Sequence, residues 1–88
     1  MKIEFRASFA KDLRKIKEKT VKRQVLDVIS LVENARDLQE LENLKKLRGG
    51  EDYYRVRVGD YRLGLVLVGD TLVFVRFLHR KDIYRYFP

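Results

Sequence analysis

Cysteine is missing from the chain, and its absence removes disulfides, thiol nucleophiles and cysteine-based zinc sites together. Stability then has to come from one compact core, or from a partner. Long apolar runs are missing too: none approaches the ~18 residues of a membrane span. The opening Met1-Lys2-Ile3-Glu4-Phe5-Arg6 holds no apolar stretch of the kind a signal peptide needs. The expected compartment is therefore the cytoplasm, with no membrane partner. Acidic residues are scarce where basic ones gather. From Tyr53 onward the only acids are Asp60, Asp70 and Asp82, so the clustered carboxylates of two-metal phosphoryl chemistry are not there. Neither a metal nor any other cofactor is expected. A Ser-His-Asp arrangement lacks a suitable serine, since Ser8 and Ser30 fall in the helical half. The pair Gly49-Gly50 lacks the flanking elements and the Lys-Ser/Thr of a phosphate-binding loop.

What is present is charge on a foldable background. The 88 residues are 45% hydrophobic and 38% charged, which reads as one globular domain, residues 1–88, rather than a disordered chain. Twenty Lys+Arg against thirteen Asp+Glu give +7, and a small domain this basic meets a polyanion or an acidic protein. Up to Asp52 lysines outnumber arginines eight to five, but from Tyr53 six of the seven basic residues are Arg55, Arg57, Arg62, Arg76, Arg80 and Arg85. Arginine offers a planar fork matched to phosphate, whereas lysine is often only a solvated charge. The chemistry is sought in the C-terminal part.

The periodicities predict an α+β fold: an N-terminal strand and a helical hairpin packed on a C-terminal antiparallel β-meander. Lys2–Arg6 alternates as a short strand. Ser8 is the expected cap of a helix with Phe9, Leu13 and Ile16 on one face. Thr20 is the expected cap of a second, striped by Val21, Val25, Val28 and Val32 and thickened by Leu26 and Ile29. Leu38–Leu47 reads as a weaker helical or irregular stretch ended by Gly49-Gly50. The pairs Gly59-Asp60 and Gly69-Asp70 make two-residue hairpin turns, which sets strands at Tyr53–Val58, Tyr61–Val68 and Thr71–His79.

Two-residue turns also fix a register. Arg57 falls opposite Arg62 and Arg55 opposite Gly64; in the second hairpin Leu65 faces Phe74, Arg62 faces Phe77 and Tyr61 faces Leu78. Alternation then gives the helices a face with Tyr54, Val56, Val58, Tyr61, Leu63, Leu65 and Leu78. The other face carries Arg55, Arg57, Arg62, Phe77 and His79. A β-bulge would shift one strand and exchange its faces. Arg57 opposite Arg62 breaks a local rule of sheet design, with no acid on that face to relieve it. The pair marks either a ligand site, with Gly64 leaving room beside it, or a solvated positive face. With the metal, triad and phosphate-loop chemistries set aside, phosphodiester cleavage by RNA's own 2′-hydroxyl remains. Arg55, Arg57, Arg62 and Arg80 suit the cations of such a site, His79 a group titrating near neutrality, and Tyr84 an acid or a stacking platform. Arg76 is read as a helix-contact or rim residue, Tyr53 and Tyr54 as packing groups, and Phe77 as either a base-stacking or a packing ring. Ile83, Tyr86 and Phe87 are read as pinning the tail to the core.

The segments Leu47-Arg48-Gly49, Tyr54-Arg55-Val56-Arg57-Val58-Gly59-Asp60-Tyr61-Arg62 and His79-Arg80-Lys81-Asp82-Ile83-Tyr84 resemble the RelE/ParE toxin superfamily, over most of the chain. The resemblance implies a RelE-like microbial ribonuclease fold and, for the RelE branch, metal-independent cleavage of messenger RNA at the ribosome. It carries the branch's basic strand positions onto Arg55 and Arg57, its later arginines onto Arg62 and Arg80, and its C-terminal tyrosine onto Tyr84. It implies a RelB-like antitoxin that wraps the toxin and binds operator DNA together with it. Lysines often stand in that branch where this chain has Arg55 and Arg57, and arginine is a poor general base. Either His79 takes the base role or catalysis is mainly electrostatic. The alternatives are a ParE-like toxin that inhibits DNA gyrase without nuclease activity, a simple RNA-binding module, and a decayed toxin kept as a regulatory partner.

Overall fold

The computed structural model describes residues 1–47 and 52–88. The expected role of Gly49-Gly50 in ending a helical stretch, and most of the Leu47-Arg48-Gly49 motif, lie outside the described residues.

Strand β1 (Lys2–Phe5) leads into helices α1 (Ala7–Arg14) and α2 (Lys19–Asn34), a 3-10 turn at Leu38–Glu40, and strand β2 (Leu44–Lys46). The meander follows as β3 (Tyr53–Val58), β4 (Tyr61–Val68) and β5 (Thr71–His79), and helix α3 (Ile83–Tyr86) closes the chain. The five strands lie in the order β1-β5-β4-β3-β2, with β1 parallel to β5 and the other neighbours antiparallel. The meander strands have the bounds that the turns predict. Gly59 and Gly69 take φ of 58° and 62°, the left-handed conformation that a two-residue hairpin asks of glycine.

Three local expectations are corrected. Ser8 does not cap α1; the N-cap is Arg6, and the Ser8 hydroxyl donates to the Val75 carbonyl at 2.6 Å. Thr20 does not cap α2; the N-cap is Glu18, two residues earlier, and Thr20 lies inside the helix. The Leu38–Leu47 stretch holds a strand, β2, whose Leu44 pairs with Val56 while packing against the core. The valine stripe of α2 is as expected, with Val25 and Val32 buried and Val21 and Val28 partly so, but Leu26 points outward at 61% exposure. The core between helices and sheet is built from Phe9, Leu63, Leu65, Leu72, Phe74 and Phe77 with those valines. Burying each such side chain contributes about 1.5–3 kcal/mol.

The first hairpin has the predicted register, including Arg57↔Arg62 and Arg55↔Gly64. The second follows it from Val68↔Thr71 to Leu65↔Phe74 and then slips by one: Gly64 pairs with Arg76, Leu63 with Phe77, Arg62 with Leu78 and Tyr61 with His79. A bulge leaves Val75 without a partner on β4. One extra residue reverses the faces of everything after it. Phe77 is therefore a buried core ring, stacked on Tyr61 at 5.2 Å, and the expectation that it and His79 share the arginine face is overturned. Arg76 and Leu78 move the other way, onto that face.

The bulged half of β5 lies beyond the end of β1, and α1 takes over its edge. Arg6 N donates to Phe74 O at 2.9 Å, and Phe77 N donates to Asp12 Oδ2 at 3.0 Å. Arg76 reaches round the same edge to Asp12, with Nε–Oδ2 at 2.8 Å and a second bond to Oδ1 at 3.1 Å. The expectation that Arg76 contacts a helix is met, through a bond across the edge. Asp12 is 5% exposed, and removing one member of a buried ion pair typically costs about 3–5 kcal/mol. Asp12→Ala is expected to lose that much in urea unfolding, and Asp12→Asn less, since its amide oxygen can still accept from Phe77 N. Equal losses for the two would show that the Arg76 ion pair, not the strand-edge bond, carries the effect.

Candidate functional site

On the sheet face away from α1 and α2, the register rows bring cations together. One row runs Lys45, Arg55, Gly64, Arg76 across β2 to β5, and the next holds Arg57, Arg62 and Leu78. Residues paired across antiparallel strands share a face at close range. Arg76 is diverted to Asp12. Among the described residues, Lys45, Arg55, Arg57 and Arg62 have no salt-bridge partner.

The tail decides how much of this face stays open. Ile83 and Phe87 are buried, and the Phe87 ring meets Tyr53 edge-on at 5.5 Å. A Cβ built on Gly64 would lie 2.7 Å from that ring. The space beside the arginines that Gly64 was expected to leave for a ligand is thus occupied by Phe87. Ile83 and Phe87 anchor the tail as expected, whereas Tyr86 does not, being 53% exposed. Glycine is needed here for close approach, and it lets the tail lie flat on β4. Tyr84 then comes to rest over Arg55, whose guanidinium carbon is 4.5 Å from the ring centre.

Tyr84 is 71% exposed, so its ring is open to a ligand on the side away from Arg55. Its phenol is held below the usual value of 10.0, first by the Arg55 guanidinium beside it, with smaller contributions from the charges of Arg62 and Lys45. Arg62 turns back on its own hairpin and donates from Nη1 to Gly59 O at 2.9 Å and Tyr61 O at 2.8 Å. Those acceptors are neutral, so they hold the guanidinium in place and leave its charge uncompensated.

Of the six residues singled out in the sequence, the structure brings together Arg55, Arg62 and Tyr84, with Arg57 beside them by register. Arg80 is exposed in the turn after β5; its backbone N–H donates to Asp60 O at 2.8 Å, and its side chain has no hydrogen bond or ion pair among the described residues. His79 lies on the other face, edge-on to Tyr61 at 5.6 Å, with Nδ1 accepting from Lys81 N at 3.2 Å. Its cleft is shared with Ile16, Asp12 and Lys15. Arg76 lines the same cleft, whereas the bulge puts His79 on the face opposite Arg55, Arg57 and Arg62. Lys45 was missed, because three residues of strand after an irregular stretch give no readable alternation.

A profile of the ParE toxin of type II toxin-antitoxin systems, parDE, matches residues 3–84. Over 89 residues the chain is 45% identical to Toxin RelE3 of Methanocaldococcus jannaschii, covering 100% of both. It is similar to a chain in the crystal structure of the RelB-RelE antitoxin-toxin complex from Methanococcus jannaschii, with TM-score 0.81 and 40% identity over 97% of this chain and 99% of that one. YafQ from E. coli shares the fold at TM-score 0.71 and 20% identity, over 93% of this chain and 96% of that one.

If Arg55 sets the acidity of Tyr84, Arg55→Ala raises the phenol toward 10 and Arg55→Lys raises it less, as read by NMR titration of ¹³C-labelled tyrosine. An unmoved Tyr84 titration in Arg55→Ala would separate the two residues in solution.

Proposed function

The chain belongs to the ParE-toxin family of the RelE/ParE superfamily, and from that premise we propose that it is the toxin of a type II toxin–antitoxin pair, a ribosome-dependent endoribonuclease acting on messenger RNA. The full-length likeness to Toxin RelE3 supports the RelE branch. The observation that carries the reading is the tyrosine stacked on one arginine beside two more, on an exposed face where none of them has an ion-pair partner among the described residues. A neutral binding surface has no use for such crowding; a dianionic phosphorane does.

In the proposed reaction the 2′-oxygen attacks the adjacent phosphorus and its proton passes to solvent. The bond from phosphorus to the 5′-oxygen breaks, leaving a 2′,3′-cyclic phosphate and a 5′-hydroxyl. Arg55, Arg57 and Arg62 stabilise the charge that builds on the non-bridging oxygens, with Arg62 able to grip two of them through its fork. Tyr84, made more acidic by its cationic neighbours, gives its proton to the departing 5′-oxygen. Arg80 supplies a further cation from the turn. His79 takes no role in this reading, because it lies on the face opposite Arg55, Arg57 and Arg62, and catalysis is mainly electrostatic. The groups gathered on this face are cations and a phenol, a set that repels a metal ion rather than holding one, which supports a metal-independent reaction.

The partners in this reading are the ribosome with its message, a RelB-like antitoxin, and operator DNA through the antitoxin complex. A RelB–RelE complex of a 40% identical relative supports the antitoxin. No helix is long and apolar enough to cross a membrane among the described residues. The name of the matching family profile favours one second reading, a ParE-like inhibitor of DNA gyrase. Cell-free translation with message ends mapped by primer extension separates the two: ribosome-dependent cuts support the nuclease, whereas intact message with inhibited supercoiling supports the gyrase inhibitor.

Arg62→Ala is expected to leave the melting temperature nearly unchanged, since it relieves Arg57 and loses only two hydrogen bonds to its own hairpin, one exposed and one part-buried. Single-turnover cleavage on programmed ribosomes should fall by roughly 10²-fold or more, the scale of one lost transition-state donor. Arg62→Lys should recover only part. Arg76→Ala should instead lower stability through Asp12. Normal cutting by Arg62→Ala would place the site elsewhere. Cleavage should also show no preference among divalent metals at fixed ionic strength with ribosomes intact, and a strict demand for one transition metal would contradict the chemistry.

A further inference from the structure

The tail covers one end of the cationic face and leaves the other bare. Phe87 fills the surface over Gly64, Ile83 is buried beside it, and Arg76 is committed to Asp12, so the β4–β5 part of the Lys45 row offers no free cation. Among the described residues, the row is open toward β3 and β2. On β2, alternation separates the two lysines. Leu44 packs on the core and Lys46 is bonded to Asp52 at 3.4 Å, whereas Lys45 stands opposite Arg55 on the cationic face, exposed and without an ion-pair partner among the described residues. Neighbouring strands lie about 4.8 Å apart, which puts Lys45 one step beyond Arg55 in the direction the tail leaves open.

We propose that Lys45 is a further substrate-binding residue of this site, holding a backbone phosphate of single-stranded RNA next to the scissile one and so setting the direction in which the strand leaves over β2. The inference rests on the nuclease reading. A flexible ammonium on an edge strand suits this role, because it follows a moving phosphate as a point charge while the forked arginines hold the reacting group. Its charge also reaches Tyr84 and helps keep the phenol acidic. Lys45 therefore lies within electrostatic range of the reacting end of the site and is more than a remote surface lysine.

The test compares Lys45→Gln, Lys45→Arg and Lys46→Gln in single-turnover cleavage on programmed ribosomes across a salt series, with ¹³C-tyrosine titration of each free protein. Lys45→Gln should lower kcat/KM by about tenfold at low salt, the scale of one charge-assisted contact. Its salt slope should shrink by roughly 0.7, as expected for one fewer phosphate of a single strand. The Tyr84 phenol should rise, Lys45→Arg should restore most of the rate, and Lys46→Gln should match the unmodified protein. If Lys45→Gln keeps the full rate and salt slope while Arg62→Ala is impaired, the role of Lys45 is overturned and the nuclease reading stands. If the unmodified protein makes no ribosome-dependent cuts, the nuclease reading fails and the role of Lys45 fails with it.

Discussion

Strand β1 stops pairing at Phe5↔Phe74, and five residues of β5 remain with an open edge. Unpaired strand edges are a liability that folds have to cover. Asp12 does so from a helix. Its carboxylate accepts from the Phe77 backbone and from two nitrogens of Arg76 while almost wholly buried, and the Ser8 hydroxyl bonds to Val75 one turn earlier. Helix α1 thereby acts as the missing partner strand at the place where β5 carries its bulge. A buried carboxylate without these donors would be untenable, so the helix, the bulge and Arg76 are held as one unit.

The placement of the cationic site follows from that unit. With the bulge fixed, Phe77 joins the core under Tyr61, His79 follows it to the helix face, and Arg76 arrives on the opposite face only to be drawn to the edge. What remains over Gly64 is bare strand on which the Phe87 ring lies, and α3 brings Tyr84 over Arg55. Bulges near sites commonly re-aim side chains in this way. Here the bulge takes a histidine out of the cluster, and Asp12 draws off the arginine that the bulge brings to that face.

The meander was legible in the sequence because two Gly-Asp turns at fixed spacing leave little freedom in strand bounds, and Arg57↔Arg62 follows from the first turn alone. The bulge left no such mark. Val73-Phe74-Val75-Arg76-Phe77 alternates equally well with or without an extra residue, and only the helix edge chooses between the two. The caps at Ser8 and Thr20 failed for a related reason. Tertiary demand for the Ser8 hydroxyl at Val75 outweighs the gain from a local cap, about 1 kcal/mol in a typical helix. The Arg55, Arg62 and Tyr84 grouping was legible by family resemblance, while Lys45 became visible only once β2 was paired.

The cluster sets a physical cost against a catalytic gain. Two unit charges about 4 Å apart repel by roughly 1 kcal/mol in a water-like medium and by several times that where the effective dielectric falls. Arg57 and Lys45 are exposed, and Arg62 anchors on carbonyls of its own turn, so the repulsion stays near the lower figure. A single transition-state donor in a preorganised site contributes about 2.7–4 kcal/mol to lowering the barrier. The difference favours keeping the cations bare, provided that no acid of the chain neutralises them. Asp12, the one buried acid among the described residues, is held on the far side of β5 by Phe77 and Arg76. Holding the bulged edge and keeping a carboxylate out of the cationic face are thus served by the same set of bonds.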